Sequence, residues 1–370
     1  MHIIFLGTAS CNPTEYRGVS SLAIRFESGD IWLVDCGEGT QVQMQKSSIK
    51  FGKVKKIFLT HLHGDHIFGL PGLLASMGTI AERMDFVLEL YGPRGLARYV
   101  RESLNLSRSP LSFKYKVIEL VPQDSQYPGN LMKDWPVMEV DTNQHHPQEI
   151  QSVSVTASTH EDPVWNLIDS HDECTVKASR IEHRIPCFGY VFTENDRPGT
   201  INVDYLKGVG IPPGPLYAKL KRGEAVTAPN GTTVNPKDCI GPDKKGRKAT
   251  ILGDTWNPNC MTKIAMHSDV LVHEATLEDG LKEKAVSNGH STPSMAVEFS
   301  HKIAAKTLIL NHYSQRYRSP HTPVPKALAQ EQVSSTDVLL EEAKNAVKNY
   351  PGFECSVIAS RDLMTHEVTL

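Results

Sequence analysis

The hexapeptide His61-Leu62-His63-Gly64-Asp65-His66 decides the fold of this 370-residue chain. It follows the apolar residues 54–59, which are predicted to form a strand, so its polar side chains should project from the edge of a sheet. Residues two apart in extended backbone face the same way. The first two histidines can therefore hold one metal ion, while the aspartate and the last histidine, after the glycine, face a second. The alternative is that these four residues only decorate a surface loop.

A catalytic zinc ion needs three protein ligands and an open position, so further ligands are required. Three candidates lie beside predicted strands. His183 precedes the strand at residues 188–193, Asp254 ends the strand at 249–252 with a carboxylate able to bridge two ions, and His312 follows a third strand. Taken alone, His183 and His312 would be interpreted as structural histidines, and only together with the first motif do they become candidate ligands. Imidazole and carboxylate ligands suit zinc, with manganese and iron as alternatives.

Predicted strands and helices are interleaved along both halves of the chain. This order favours a layered α/β sandwich over an all-β or a helical fold. The polar stretch 122–175 has no assignment. Strands are expected at residues 2–6, 20–26, 31–35, 54–59, 87–91, 188–193, 249–252, 270–273, 307–310 and 356–359, and helices at residues 37–46, 71–80, 94–104 and 336–349.

Charge is distributed unevenly along the sequence. The net charge of −3 by itself argues against a nucleic-acid partner. Residues 191–248, however, hold ten Lys and Arg against six Asp and Glu. The part from 195 to 248 is rich in Gly, Pro and Lys with little periodicity, and such a long segment inside a compact domain is usually functional or disordered. From charge alone, it could also be a solvated basic loop.

Several classes of protein are excluded by composition. With 39% apolar and 22% charged residues the chain can bury a sizeable core. The sequence contains no run of about 20 apolar residues, so no membrane span is predicted. The start of the chain resembles neither a secretory signal nor a transit peptide, so a cytosolic, or also nuclear, location is expected. The seven scattered cysteines indicate neither a disulfide framework nor a zinc ribbon.

Five motifs together resemble those of the tRNase Z (ribonuclease Z) family in its short, ElaC-type form. The resemblance covers nearly the whole chain. The first motif alone indicates only a metallo-β-lactamase fold, whereas the later ones are specific to the family. They are the hexapeptide 61–66, Gly253-Asp254-Thr255, His273-Glu274-Ala275-Thr276, His290-Ser291-Thr292 and Pro212-Pro213-Gly214-Pro215.

The resemblance implies one metallo-β-lactamase domain over residues 1–370, folded as a four-layer αββα sandwich. A flexible arm at residues 195–247, the exosite, would bind tRNA through Pro212, Pro213, Gly214, Pro215 and basic side chains, since phosphate contacts dominate such affinity. A homodimer is also expected. Two Zn²⁺ ions per chain are implied, the first bound by His61, His63 and His183, the second by Asp65, His66 and His312, with Asp254 bridging.

The activity implied is that of an endoribonuclease that removes 3′ trailers from precursor tRNA and leaves a 3′-hydroxyl. Asp65 would accept a proton from the attacking water, and His290, oriented by Glu274, would protonate the departing 3′-oxygen. Arg316 would bind a substrate phosphate. The alternatives are a surface loop histidine for His290, a buried structural carboxylate for Glu274 and a surface ion pair for Arg316. His273 is expected to be structural.

One loop departs from the family pattern. Many members carry PxKxRN near the amino terminus, where this chain has Pro13-Thr14-Glu15-Tyr16-Arg17-Gly18. Arg17 is kept and is expected to contact substrate. Glu15 replaces lysine and Gly18 replaces asparagine, which puts in doubt how the loop treats the 3′ end of the substrate.

Two other functions are compatible with the metal motif. A metallo-β-lactamase-fold hydrolase of small esters, lactones or thioesters would share the ligands but has no need of a basic arm. A non-catalytic RNA-processing subunit would be supported by missing ligands, and none is missing. Measurements of zinc content and of the hydrolysis of a simple phosphodiester would distinguish these two functions from that of a ribonuclease.

Overall fold

The computed structural model describes residues 1–80, 86–126, 145–158, 163–169, 174–320 and 334–369. The strands are β1 His2–Gly7, β2 Ser21–Arg25, β3 Ile31–Val34, β4 Val54–Phe58, β5 Val87–Pro93, β6 Lys114–Leu120, β7 Glu149–Val155, β8 Val164–Ile168, β9 Cys174–Ile181, β10 Cys187–Glu194, β11 Val226–Thr227, β12 Thr233–Val234, β13 Lys248–Ile251, β14 Val270–Glu274, β15 Thr307–Asn311, β16 Tyr317–Arg318, β17 Ser334–Ser335, β18 Ser356–Ala359 and β19 Thr365–Glu367. The helices are α1 Thr40–Lys46, α2 Gly64–Ile67, α3 Leu70–Ile80, α4 Leu96–Leu106, α5 Val203–Gly208, α6 Pro215–Lys221, α7 Pro236–Cys239, α8 Thr262–Ala265, α9 Lys282–Ser287, α10 Pro293–Lys302 and α11 Thr336–Val347.

The strands form two large sheets. The first has the order β19-β1-β2-β3-β4-β5-β6-β7, and the second has the order β18-β15-β14-β13-β10-β9-β8. Strands β3 to β7 run parallel in the first sheet, and β13, β14, β15 and β18 run parallel in the second. The carboxyl ends of parallel strands meet at one edge of a sheet, where ligands are commonly bound.

Three apolar layers hold the sheets and helices together. Between the sheets, the buried rings of Trp32 and Phe58 from the first sheet pack on Phe192 from the second. A second core joins the outer face of the first sheet to α1, α3 and α4, and a third joins the outer face of the second sheet to α10 and α11. The order helix, sheet, sheet, helix confirms the predicted αββα sandwich.

Residues 195–247 connect β10 to β13 and are more ordered than their composition indicated. They contain α5, α6, α7 and the β11–β12 hairpin, packed around a core of their own. The expectation of an irregular segment was wrong because each element has only two to seven residues, too few to show a period. The buried side chains of this core are Leu206, Ile211, Leu220, Val226, Ala228, Val234 and Cys239.

Other differences from the predicted elements are small. Strands β7, β8 and β9 begin within the stretch 122–175 that had no assignment, and residues 127–144, 159–162 and 170–173 of that stretch lie outside the described residues. Helices α8, α9 and α10 and strands β16, β17 and β19 were missed, and the short helix α2 lies inside the metal-motif loop. Within the described part of the chain, no helix is both long and apolar enough to cross a bilayer.

Candidate metal centre

The predicted metal ligands come from both sheets and converge at one place. Those of the first sheet follow β4, on the loop and on α2. Those of the second sheet lie between β9 and β10, after β13 and after β15. The side chains that meet in this way are His61, His63, Asp65, His66, His183, Asp254 and His312.

Three of these histidines and Asp254 form a first cluster. The Nδ1 atom of His63 lies 3.0 Å from Nε2 of His61 and 3.2 Å from Nε2 of His183. The four ligand atoms all lie within 4.8 Å of one another. This is a donor set of three imidazoles and one carboxylate, as zinc prefers.

A second cluster lies beside the first and shares Asp254 with it. The Nε2 atoms of His66 and His312 are 3.2 Å apart, and Oδ2 of Asp65 lies 3.3 Å from Nε2 of His312. These groups and the Asp254 carboxylate also lie within 4.8 Å of one another.

Asp254 lies between the two clusters and turns one oxygen toward each. Its Oδ2 atom lies 3.7 Å from Nε2 of His61 and 3.9 Å from Nε2 of His183. Its Oδ1 atom lies 3.3 Å from Nε2 of both His66 and His312. This is the arrangement that a bridging carboxylate needs.

Hydrogen-bond partners outside the clusters orient four of the imidazoles, and the sequence analysis gave none of these partners that role. Nδ1 of His66 donates to Oδ2 of Asp35 (2.7 Å), and Nδ1 of His183 donates to the carbonyl oxygen of Gly289 (2.7 Å). Such partners hold the tautomer that leaves Nε2 free for a metal. The hydroxyls of Thr60 and Thr276 lie 3.0 and 3.1 Å from Nδ1 of His61 and His312 in the same way.

Two residues of the centre have left-handed backbone. The φ angles are +61° at Asp35 and +57° at His312. Non-glycine residues in this region cost on the order of 1 kcal/mol or more and occur where the surrounding structure imposes them. With this backbone conformation, the Asp35 carboxylate contacts His66 and the His312 side chain belongs to the second cluster.

Burial keeps three of the imidazoles neutral. Desolvation lowers the pKa of His63 and of His183 to about 4 and holds the pKa of His61 well below its usual value. A metal ligand must be deprotonated at the donor atom. These side chains are therefore ready to bind metal at neutral pH.

The carboxylates of the centre are ionised. Burial alone would raise the pKa of Asp65 and Asp254, but the neighbouring imidazoles His66 and His312 lower both values well below the usual range. Asp65 also accepts a hydrogen bond of 2.7 Å from the backbone N–H of Cys11.

His290 and Glu274, the predicted acid and its orienting partner, are in contact beside the clusters. Nδ1 of His290 donates to Oε1 of Glu274 at 3.1 Å, and the carboxylate also accepts from the backbone N–H groups of Thr255 (2.7 Å) and Ser291 (3.0 Å). Burial lowers the pKa of His290, but the charge and hydrogen bond of Glu274 outweigh it and raise that pKa to about 9. The imidazole is therefore a protonated group near the metal ligands.

A cavity of about 360 Å³ opens onto both clusters and onto His290. Phe68, at its edge, is 65% exposed. Among the described residues the cavity also has one arginine, Arg184, which the sequence analysis missed because it belongs to none of the motifs. Its lining comprises Cys11, Asn12, Pro13, Val19, Glu38, His63, Gly64, Asp65, Phe68, Arg184, Asp254, His290 and His312.

The remaining predicted site residues lie elsewhere. Arg17 is buried, and its guanidinium donates to the hydroxyl of Thr8 (2.8 Å) and to the carbonyl of Tyr317 (3.3 Å), so its geometry favours holding the loop over contacting substrate. Arg316 is exposed and is not among the side chains that line the cavity. The residues 212–215 are exposed on the arm. His273 is buried and donates to a backbone carbonyl, consistent with a structural role.

Comparisons with known sequences place the chain among named relatives. The zinc phosphodiesterase ELAC protein 1 of Homo sapiens is 42% identical over 352 residues, covering 94% of this chain and 93% of that one. The ribonuclease Z of Rippkaea orientalis is 37% identical over 369 residues, covering 100% and 98%. A family model described as anti-Pycsar protein Apyc1 matches residues 1–115.

Solved structures agree with this placement. The crystal structure of the short form of human tRNase Z (ELAC1) superposes with a TM-score of 0.66 at 31% identity and covers 100% of both chains. The metallo-β-lactamase fold protein YhfI of Bacillus subtilis has a TM-score of 0.54 at 12% identity, covers 99% of this chain and 98% of its own, and shows the fold alone.

Proposed function

Because this chain belongs to the ribonuclease Z family, we propose that it is a zinc-dependent endoribonuclease that removes 3′ trailers from precursor tRNA. The product would be a tRNA with a 3′-hydroxyl. The observation that carries the proposal is the pair of ligand clusters that share Asp254 and open, with His290, into one cavity.

The donor set fits two zinc ions per chain. His61, His63 and His183 would hold one ion, Asp65, His66 and His312 the other, with Asp254 between them. Bound zinc lowers the pKa of water to about 7 and neutralises charge on a phosphate.

The protein side chains divide the proton transfers between them. Asp65 is ionised and lines the cavity, so it can accept the proton of the attacking water. His290 is protonated through Glu274 and lies with Nδ1 3.8 Å from Oδ2 of Asp254, next to where a phosphodiester would lie. It can therefore donate a proton to the departing 3′-oxygen, which is a poor leaving group as an anion.

The arm at residues 195–247 is assigned to binding rather than chemistry. Its helix α6 carries exposed Lys219 and Lys221, and none of its residues lines the metal cavity. A basic surface remote from the reacting phosphate suits a structured RNA, since phosphate contacts supply affinity without base recognition.

The test is incubation with a tRNA that carries a 3′ trailer, followed by mapping of both product ends. We expect one cut that leaves a 3′-hydroxyl on the tRNA and a 5′-phosphate on the trailer, with Asp254→Ala as the inactive control. Hydrolysis of small esters or lactones without RNA cleavage would favour a small-molecule hydrolase. Zinc binding without either activity would favour a non-catalytic RNA-processing subunit.

A homodimer and a cytosolic, or also nuclear, location complete the proposal. The expectation of a homodimer rests on the family resemblance. Light scattering on the purified protein would give the oligomeric state, and imaging of a tagged chain in its cell of origin would give the location.

A further inference from the structure

Arg184 is the one lysine or arginine among the described residues that line the metal cavity. It directly follows His183, a side chain of the first cluster. Arg184 is exposed, so its guanidinium is accessible to a ligand that enters the cavity.

The stem of Arg184 lies between a cluster histidine and the segment that carries His290. Gly289 has a φ of +82° and accepts the hydrogen bond of His183. A Cβ atom at Gly289 would lie 2.7 Å from Nδ1 of His183 and 3.1 Å from Cγ of Arg184. The stem of Arg184 therefore packs close to Gly289, the residue that directly precedes His290.

None of the described residues pairs with the charge of Arg184. Arg184 forms no hydrogen bond or ion pair with any residue that the structure describes. Arg247 of the arm base, by contrast, is paired with Glu194 at 2.6 Å, and the buried Arg17 donates to Thr8. An unpaired guanidinium at the mouth of a metal cavity is a ready binder of a phosphate, which it can contact with two parallel hydrogen bonds.

Arg184 shares the cavity with side chains of both clusters and with the proposed acid. His63, Asp65, His312 and His290 line the same cavity. A phosphate that enters this cavity can therefore meet Arg184 together with these groups.

We propose that Arg184 binds a non-bridging oxygen of the scissile phosphodiester and is a catalytic residue of this chain. This rests on the proposed function. The scissile phosphate is favoured over a neighbouring one because Arg184 lines the same cavity as both clusters and His290, and its stem lies close to Gly289, the residue before His290. As charge develops on the phosphate in the transition state, a fixed guanidinium stabilises it.

The experiment compares Arg184→Met and Arg184→Lys on two substrates, precursor tRNA and bis(p-nitrophenyl) phosphate, whose only phosphate is the scissile one. We expect kcat of Arg184→Met to fall about 10²-fold on both, the size seen when one transition-state hydrogen-bond donor is removed. Arg184→Lys keeps the positive charge but loses the two parallel N–H donors of the guanidinium. Its kcat should therefore lie between those of Arg184→Met and the parent protein. Zinc content should be unchanged, and Arg361→Met, at an exposed arginine outside the cavity lining, should match the parent protein.

Three outcomes would overturn the assignment. A loss on precursor tRNA alone would place Arg184 on a neighbouring phosphate, and unchanged rates on both substrates would mean that it contacts none. Loss of zinc from both variants would make it a support for His183. The proposed function fails separately: the parent protein would then leave precursor tRNA uncut while its hydrolysis of the small phosphodiester still depended on Arg184.

Discussion

At the scale of single residues, Asp254 is the side chain on which both clusters depend, because each of its oxygens faces one of them. We expect Asp254→Ala to lose bound metal and activity together, measured as zinc per chain and as cleavage of precursor tRNA. Asp30→Ala, in the turn between β2 and β3, is the matched control and should keep both. Full zinc content in Asp254→Ala would show that the carboxylate does not bridge.

His290 should act on the leaving group. His290→Ala is expected to keep its zinc and bind tRNA nearly normally while turning over about 10²–10⁴-fold more slowly, the usual contribution of a general acid. A nitrophenyl phosphodiester has an acidic leaving group that needs little protonation, so its hydrolysis should fall much less. If both substrates slow equally, His290 positions phosphate or metal instead.

Glu274 should set the pH range of that acid. Its carboxylate counteracts the effect of burial and raises the pKa of His290 to about 9, so the imidazole keeps its proton above neutral pH. In Glu274→Gln the charge is gone and the His290 pKa falls, so the alkaline limb of the kcat profile on precursor tRNA should move to lower pH. His290→Ala should lack this limb. If the alkaline limb of the kcat profile does not move in Glu274→Gln, Glu274 does not set the pKa of His290.

At the scale of elements, the arm can be removed without disturbing the sheets. Thr200 and Gly241 are joined by a backbone hydrogen bond of 3.1 Å, so residues 201–240 can be replaced by a short glycine link. The core of the arm is separate from those of the sandwich. We expect the truncated protein to lose most cleavage of precursor tRNA and to keep hydrolysis of a small phosphodiester.

The salt dependence of tRNA binding is the companion measurement to this truncation. Fewer phosphate contacts remain, so the slope of log affinity against log salt should be shallower than in the intact protein. Equal loss of activity on both substrates would instead mean that the arm supports the fold. Arg247 and Glu194, which pair at the base of the arm, stay in both proteins.

At the scale of the whole molecule, the candidate metal centre takes its side chains from both sheets. His61, His63, Asp65 and His66 follow strand β4 of the first sheet, whereas His183, Asp254 and His312 belong to connections of the second. A ligand that binds only the folded state stabilises it by about 2.7 kcal/mol at 100 times its Kd. Removal of metal by a chelator should therefore lower Tm, and added zinc should restore it.

The control for metal removal is the Asp254→Ala variant, which should respond little to the chelator because it holds little metal. Differential scanning calorimetry at constant pH measures the shift in Tm. An equal shift in the variant and the parent would mean that the chelator acts elsewhere on the chain.

The sequence by itself determined the features that depend on residues close together along the chain. The hexapeptide 61–66 and the residues that end strands, Asp254 and His312, could be identified because a strand and the loop after it are contiguous. The sandwich followed from the alternation of strands and helices. The elements of the arm were missed because they are too short to show a period.

Only the tertiary structure decided which residues surround the metal ligands. Asp35 meets His66 across 31 residues, Gly289 meets His183 across 106, and Thr276 meets His312 across 36. The sequence also did not predict the burial of Arg17 or the position of Arg184 in the cavity. Local sequence patterns predict the secondary structure of a segment. The contacts described here depend instead on how separate loops pack at the ends of the two sheets. The spacing of residues along the chain does not show that packing.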